Sequence, residues 1–334
     1  MDALDERLIR VSGAGIRREH GELRPGETGP VKADYRVVGK WMTPIEAFRA
    51  LCAACVQHIE GNRLGALAAG DPEYLHQMRV ALRRLRTAFE VFADALPEPV
   101  VAPLVEELRW LSRALGRARD WDVFIADALR PALAQRPRHP GLRAFRAACE
   151  DLGAEARSTA HRALESRRYF ALMRALRALS YGDAGQDGAR PAPIQRQAAA
   201  VVSAMYARAA RRGRKLMRLD PKELHRLRNA VRRLRYAVLF FADVLPEARL
   251  RTLAQAVEAL QETLGRINDC AVAGELIEGA RAEARGPQRR KARKLLRKRV
   301  EAARGARREA LRTQWEGFRA ADKAWLTRTG DDRA

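Results

Sequence analysis

The chain has 334 residues, of which 64 are Lys or Arg and 41 are Asp or Glu, so its formal net charge is +23. Such an excess predicts a polyanionic partner: nucleic acid, an anionic membrane surface or a phosphate polymer. No stretch approaches the roughly 18 apolar residues of a membrane span, and the acidic N-terminus lacks the apolar region of a signal peptide. The sequence therefore excludes a transmembrane segment and predicts a cytoplasmic protein.

Residues 1–42 are predicted to form a loosely attached N-terminal extension, rich in Gly and Pro, with a short hairpin around residues 35–38. Thr43-Pro44-x-Glu46 then marks a helix start, because Thr caps free amides, Pro suits the first turn and Glu at the third position completes a capping box. The pattern is helical almost throughout from there, which predicts an all-α fold.

The predicted helices divide a domain at 43–328 into a first half (43–180), a linker (181–190) and a second half (191–328). Gly116 and Gly265 are predicted to end helices, with Asp120 and Asp269 capping the helices that follow. Each half is expected to be a four-helix bundle with long helices, and a pseudo-two-fold axis is expected to relate the two bundles. The predicted helices are 44–69, 72–95, 98–116, 120–135 and 142–180, followed by 191–217, 221–245, 247–265, 268–285 and 288–328.

An internal repeat is the main clue to function. The segment 71–86 recurs at 220–235, and the match continues through Phe-Ala-Asp-x-Leu-Pro-Glu and Leu-Gly-Arg elements at a constant offset of 149 residues. The aspartates of the first element, Asp94 and Asp243, are predicted to pair with arginines. Since the repeat preserves basic as well as apolar positions, it predicts one anion site built twice.

The repeated basic residues form a stripe on each helix. At 100° per residue, each set of four falls within an arc of about 80° beside the apolar face. Arg84 and Arg233 lie off this arc, where they would contact a neighbouring helix. We define the first stripe as His76, Arg79, Arg83 and Arg86, and the second stripe as His225, Arg228, Arg232 and Arg235.

Four cations on one side of a helix repel each other unless an acidic neighbour or a bound anion offsets them. Both stripes begin near a helix N-terminus, where the dipole and free amides also favour an anion. If the stripes face each other they would line a central basic groove. A basic stripe can also be a solvated surface, but its repetition at one offset favours a site.

The segment 75–86, its copy at 224–235 and the Leu-Gly-Arg-x-x-Asp elements at 115–120 and 264–269 resemble the CHAD family (conserved histidine α-helical domain). The resemblance covers roughly residues 43–328. It implies an all-α domain that binds inorganic polyphosphate in a basic groove and has no established catalytic role. Some members associate with polyphosphate or polyhydroxyalkanoate granules.

The candidate polyphosphate ligands combine the two motifs with basic residues nearby. Arg208, Arg212 and Lys215 have helical spacing suited to a groove edge, and the run at 290–298 would either extend the groove or remain solvated. The full set is His76, Arg79, Arg83, Arg84, Arg86, His225, Arg228, Arg232, Arg233, Arg235, Arg208, Arg212, Lys215, Arg293 and Arg297.

No metal, cofactor or catalytic residue is predicted. Cys52 and Cys55 lack the second pair that a zinc site needs, and no phosphate-binding Gly-rich loop or metal-binding carboxylate signature occurs. The alternative function is nonspecific nucleic-acid binding, which phosphate neutralisation alone can provide. Aromatic residues make up only 6% of the chain, and single-strand binding prefers aromatics among the basic residues.

Overall fold

The computed structural model describes residues 29–32, 35–68, 71–182, 191–280 and 286–327, with side chains through residue 321. No strand occurs within these residues, and the predicted all-α fold is confirmed. Short 3₁₀ turns occur at Ala93–Ala95 and Leu216–Arg218. The α-helices are α1 (Pro44–Ala68), α2 (Pro72–Val91), α3 (Glu98–Phe124), α4 (Arg130–Gln135), α5 (Pro140–Glu165), α6 (Arg167–Tyr181), α7 (Gln195–Arg212), α8 (Pro221–Phe240), α9 (Glu247–Gly279) and α10 (Pro287–Thr327).

The starts of α1 and α8 are fixed by reciprocal caps. The Thr43 amide donates to Glu46 Oε2 at 2.7 Å, and the Glu46 amide donates to Thr43 Oγ1 at 3.4 Å. Asp220 and Glu223 repeat this arrangement at 2.9 and 2.7 Å. Each cap satisfies amides that have no partner inside the helix, and the predicted starts of both helices are confirmed.

Two predicted helix breaks are wrong. The helix α3 continues through Gly116 and Asp120, and α9 continues through Gly265 and Asp269. Neither glycine has a positive φ. A glycine inside a helix costs about 1 kcal/mol, and the apolar face that continues on both sides of each glycine outweighs that cost. The two aspartates are therefore mid-helix residues and not caps.

Further boundaries differ from the sequence prediction. The helix α2 ends at Val91 instead of residue 95, α8 ends at Phe240 instead of residue 245, and α7 is Gln195–Arg212 instead of 191–217. A π-helical turn at Ile125–Leu129 separates α3 from α4. Pro131 explains it, because proline has no amide hydrogen and its ring excludes the carbonyl four residues earlier. The predicted single helix at 142–180 is broken at Ser166, whose Oγ accepts from the Tyr169 amide at 3.2 Å and starts α6.

The described residues form two compact units. The first lies within Met1–Leu115, His161–Met205 and Tyr236–Leu250. In it α1 packs against α2 and α6. Its core contains a row of phenylalanines, with ring centroids 5.0 Å apart for Phe48 and Phe89 and 6.1 Å apart for Phe92 and Phe241.

The segment before α1 belongs to the core of this first unit. Tyr35 and Val38 are each 2% exposed, and the Ile194 amide donates to the Met42 carbonyl at 2.7 Å. Arg36 Nε donates to Asp243 Oδ1 at 3.0 Å, so the expected pairing of Asp243 with an arginine is confirmed. The prediction of a loosely attached hairpin around residues 35–38 is wrong. The buried side chains of Tyr35 and Val38 anchor this segment, which is extended and has no strand partner among the described residues. Residues 1–28 lie outside the described residues.

The second unit lies within Gly116–Ala160, Tyr206–Arg235 and Arg251–Ala334. In its core the rings of Tyr206 and Phe318 stack with centroids 4.6 Å apart, and the Tyr206 hydroxyl donates to the Phe318 carbonyl at 3.1 Å. A Cβ on Gly213 would lie 2.1 Å from the Trp315 ring, so only glycine allows this close approach.

Each unit contains segments from both predicted halves of the chain. The division at 181–190 and the pseudo-two-fold axis stay predictions, and residues 183–190 of the linker lie outside the described residues.

Candidate functional site

The first stripe lies on α2 in the first unit. All four of its side chains are half-buried, and they border an apolar face that includes the fully buried Met78 and Leu82. The Nε atom of Arg83 is buried and has no hydrogen-bond partner among the described residues. The same holds for the Nε atoms of Arg84 and Arg293, so this atom does not by itself mark a ligand site. Arg83 stays a candidate ligand because of its place in the stripe.

Arg84 is turned away from the first stripe. Its guanidinium carbon lies 3.9 Å from the centroid of the Tyr35 ring and 5.7 Å from that of Tyr236. Both rings are at most 3% exposed. A guanidinium over aromatic faces is stabilised by the ring quadrupole, and Arg84 therefore serves packing. Its inclusion among the ligands stays a prediction that this placement disfavours.

A buried hydrogen-bond chain connects Tyr35 to the start of α2. Gln77 Nε2 donates to Glu73 Oε1 at 2.6 Å, so Gln77 Oε1 accepts from His58 Nε2 at 3.1 Å. The other nitrogen, Nδ1, accepts from the Tyr35 hydroxyl at 2.5 Å. Burial, and after it the charge of Arg84, lowers the pKa of His58 to about 4. His58 is therefore neutral and structural at neutral pH.

The second stripe lies on α8 in the second unit, and α9 provides partners for it. His225 Nδ1 lies 3.3 Å from Asn268 Oδ1, and Arg235 donates to Glu258 Oε1 at 2.9 Å. Arg232 donates to Asn229 Oδ1 at 2.8 Å on its own helix. His225 is exposed, and the three arginines of the stripe are half-buried. Positive charge in this stripe is thus partly offset within the protein.

Arg228 interacts with the carboxylate of Asp269 on α9. Crowding by protein atoms, which removes part of the hydration of this still exposed side chain, raises the pKa of Asp269 above its usual value. The Arg228 charge lowers it, whereas Asp127 and Asp120 raise it. Of the two repeated aspartates, Asp269 therefore offsets part of the Arg228 charge, and Asp120 lies close enough to raise the pKa of Asp269.

Three further candidates lie at the end of α7 and beyond it. Arg208, Arg212 and Lys215 are all exposed. The helix ends at Arg212, and Lys215 lies in the following turn. The helical spacing assumed for Lys215 was wrong, because α7 gives way to a turn at Gly213 where the chain passes Trp315. A ligand role for these three residues stays a prediction.

Two arginines of the 290–298 run pack against α9. Arg293 and Arg297 donate to Glu278 at 3.4 and 3.0 Å, and the side chain of Arg293 is only 14% exposed. Arg297 also lies 3.7 Å from Glu301. These contacts anchor α10 to α9. The sequence predicted that the run would either extend the groove or remain solvated, and anchoring is a third role.

Sequence reasoning missed the partners of the second stripe, because Glu258 and Asn268 were not singled out. It also assigned Tyr35, the partner of Arg84 and His58, to a loose extension. The offset of 149 residues contains a signal for Glu258 and Asn268, because the corresponding residues in the first copy are Arg109 and Arg119. At these two positions the charge changes from basic to acidic or neutral between the copies of the repeat.

The four cysteines are buried and free, as small core residues are expected to be. Burial raises the pKa of Cys52 to about 11 and that of Cys149 to about 12, so these thiols stay protonated. Among the described residues, no group of three or more His, Cys, Asp and Glu side chains is suited to hold a metal ion. No helix in this part of the chain has the length and apolarity to cross a membrane.

The helices and the duplicated stripes define a helical protein with two basic faces. The family model of the CHAD domain matches residues 50–278. The crystal structure of the CHAD domain from the plant Ricinus communis is 30% identical, with a TM-score of 0.70 over 87% of this chain and 96% of that chain. The chain belongs to the CHAD domain family.

A second solved structure, PptA from Streptomyces chartreusis, supports the fold alone. It is 19% identical, with a TM-score of 0.60 over 82% of this chain and 98% of that chain. A search of curated proteins found no match.

Proposed function

We propose that this chain binds inorganic polyphosphate through its two basic stripes and catalyses no reaction on it. The observation that carries the proposal is the recurrence of one histidine and three arginines at the same positions of α2 and α8, half-buried except for the exposed His225. Arginine suits this role because its planar fork binds phosphate oxygens in pairs. Family membership supports the proposal, because the CHAD resemblance implies a polyphosphate ligand. That the two stripes line one groove stays a prediction.

The surroundings of the stripes favour a phosphate chain over nucleic acid. Proteins that bind single strands stack bases on accessible aromatic rings. The aromatic rings on the helices that carry the stripes are at most 6% exposed and are unavailable for stacking: Tyr74, Phe89, Tyr236 and Phe240. A polymer without bases needs only the guanidinium groups. Nonspecific nucleic-acid binding is the outcome that the experiment must distinguish.

The first test is calorimetric titration at 150 mM salt with long-chain polyphosphate and with single- and double-stranded DNA at matched phosphate concentration. The proposal expects tight binding to polyphosphate and weak binding to both DNAs. Comparable binding to all three would show a generic basic surface.

The second test removes one arginine from each stripe, Arg83→Ala with Arg232→Ala. A hydrogen bond to a charged group contributes about 1.5–3 kcal/mol, so we expect affinity to fall by roughly 100-fold or more. The slope of log affinity against log salt should lose about 0.7 for each lost phosphate contact. The matched control, Arg146→Ala with Arg312→Ala, removes the same charge from exposed pairs with Glu150 and Glu316. Equal losses in both double variants would remove the stripes from the site.

The proposal extends to cellular location: cytoplasmic, with recruitment to polyphosphate or polyhydroxyalkanoate granules. A fluorescent fusion should colocalise with granules in cells that accumulate them. The Arg83→Ala, Arg232→Ala variant should remain diffuse.

A further inference from the structure

Two contacts fix how α9 lies along the second stripe. His225 meets Asn268 and Arg235 meets Glu258, so ten residues separate the contacts on α8 and ten separate them on α9 in the opposite direction. The two helices are therefore antiparallel, and the whole stripe lies beside one face of α9. Any polyphosphate chain that binds this stripe must bind next to the side chains of that face.

Glu258 occupies the donor that a phosphate would need. Its Oε1 accepts from the terminal nitrogen of Arg235 at 2.9 Å. The side chains of Arg235 and Glu258 are 36% and 65% exposed, so the pair is open to solvent and to a ligand. Exposed ion pairs are weak, at about 0.2–1 kcal/mol, and a polyanion can displace a carboxylate held this loosely.

The first copy of the repeat has the opposite charge at this position. At the offset of 149 residues, Arg109 corresponds to Glu258 and Arg86 corresponds to Arg235. Arg109 is half exposed and lies on α3, where it pairs with Glu106 of the same helix. The exchange of Arg for Glu changes the local charge by two units next to an otherwise repeated site.

We infer that Glu258 is a built-in competitor of polyphosphate for Arg235 and sets the affinity of the second stripe. The inference rests on the proposed function. A phosphate that binds Arg235 meets the Glu258 carboxylate at Nη2. It either displaces that carboxylate or binds beside its negative charge, and both lower the affinity. The two copies of the repeat are then unequal: the second carries a competing acid where the first carries an additional base.

The test is calorimetric titration of the full chain with long-chain polyphosphate at several salt concentrations. Glu258→Gln keeps the shape of the side chain and removes its charge. We expect affinity to rise about 2- to 5-fold, the range that corresponds to a weak ion pair. The salt slope should steepen by about 0.7, because one more phosphate contact displaces one more counterion. Glu258→Arg, which copies the first repeat, should raise affinity further.

Two controls separate competition from a general change in charge. Glu316→Gln removes an equal charge from an exposed pair with Arg312 on α10 and should alter affinity less than 1.5-fold, on the order expected for screened surface charges. In an Arg235→Ala background, Glu258→Gln should raise affinity no more than Glu316→Gln does, because the guanidinium for which Glu258 and phosphate compete is absent.

The outcomes distinguish this inference from the proposed function. Wild-type protein that fails to bind polyphosphate overturns the proposed function and the inference with it. Wild-type binding with equal effects of Glu258→Gln and Glu316→Gln overturns the inference alone. A gain from Glu258→Gln that persists without Arg235 also overturns it. Circular dichroism confirms that each variant keeps the wild-type helix content.

Discussion

Acid should destabilise this protein through His58, and the size of the effect follows from its surroundings. His58 is 1% exposed, accepts from Tyr35 at Nδ1 and donates to Gln77 at Nε2. A proton on Nδ1 would place a charge in this buried position and a second charge near Arg84. Burial, and after it the charge of Arg84, lowers the pKa of His58 from 6.5 to about 4 in the folded state.

The sign of the effect follows from proton binding. Between pH 6.5 and pH 4 the unfolded chain holds a proton on His58 that the folded chain does not, so stability falls as the pH falls through this window. Above pH 6.5 the residue is neutral in both states and adds no pH dependence. One pKa unit corresponds to about 1.4 kcal/mol, and lowering the pH from 7.5 to 5.0 should cost about 2 kcal/mol of unfolding free energy through this residue.

The assay is urea unfolding of the wild type and His58→Gln at both pH values. Glutamine does not titrate, and all other groups are shared, so the wild type should lose about 2 kcal/mol more than the variant between pH 7.5 and 5.0. The nuclear magnetic resonance signal of the folded His58 ring should also remain that of a neutral imidazole at pH 5. Equal losses in the two proteins, or a charged ring at pH 5, would refute the reasoning.

Two more predictions concern packing and binding. Gly65→Ala should lower the free energy of unfolding by about 1–3 kcal/mol, because a Cβ would lie 2.1 Å from the buried ring of Tyr74. Gly274→Ala should instead raise it by about 0.5–1 kcal/mol, because a Cβ there would meet nothing within 4 Å. Denaturant unfolding curves compare the two variants. His76→Gln with His225→Gln should weaken polyphosphate binding, because each stripe loses its imidazole ring as a ligand for phosphate oxygens. Calorimetry at one pH measures the change, and unchanged affinity would assign both histidines to structure.

Local signals in the sequence determined the starts of α1 and α8 and the positions of the two stripes. Thr43 and Asp220 cap their own helices, and the period of the helix alone places Arg83 and Arg232 beside the apolar face. These features depend on residues within one or two turns of each other. Repetition at one offset then identified the stripes as a candidate site, because two copies preserve basic positions that a single solvated face would not require.

Only the tertiary structure decided which helices continue and which charges are offset. Gly116 and Gly265 have the sequence of helix ends, but burial of the apolar face around them keeps α3 and α9 intact. Likewise, Tyr35 meets His58 and Arg235 meets Glu258 across 23 residues of sequence in each case. Such contacts depend on how helices pack, and packing free energy is shared among many distant residues. The sequence therefore determined where the positive charge lies, and the packing of the helices decided how much of that charge the protein itself neutralises.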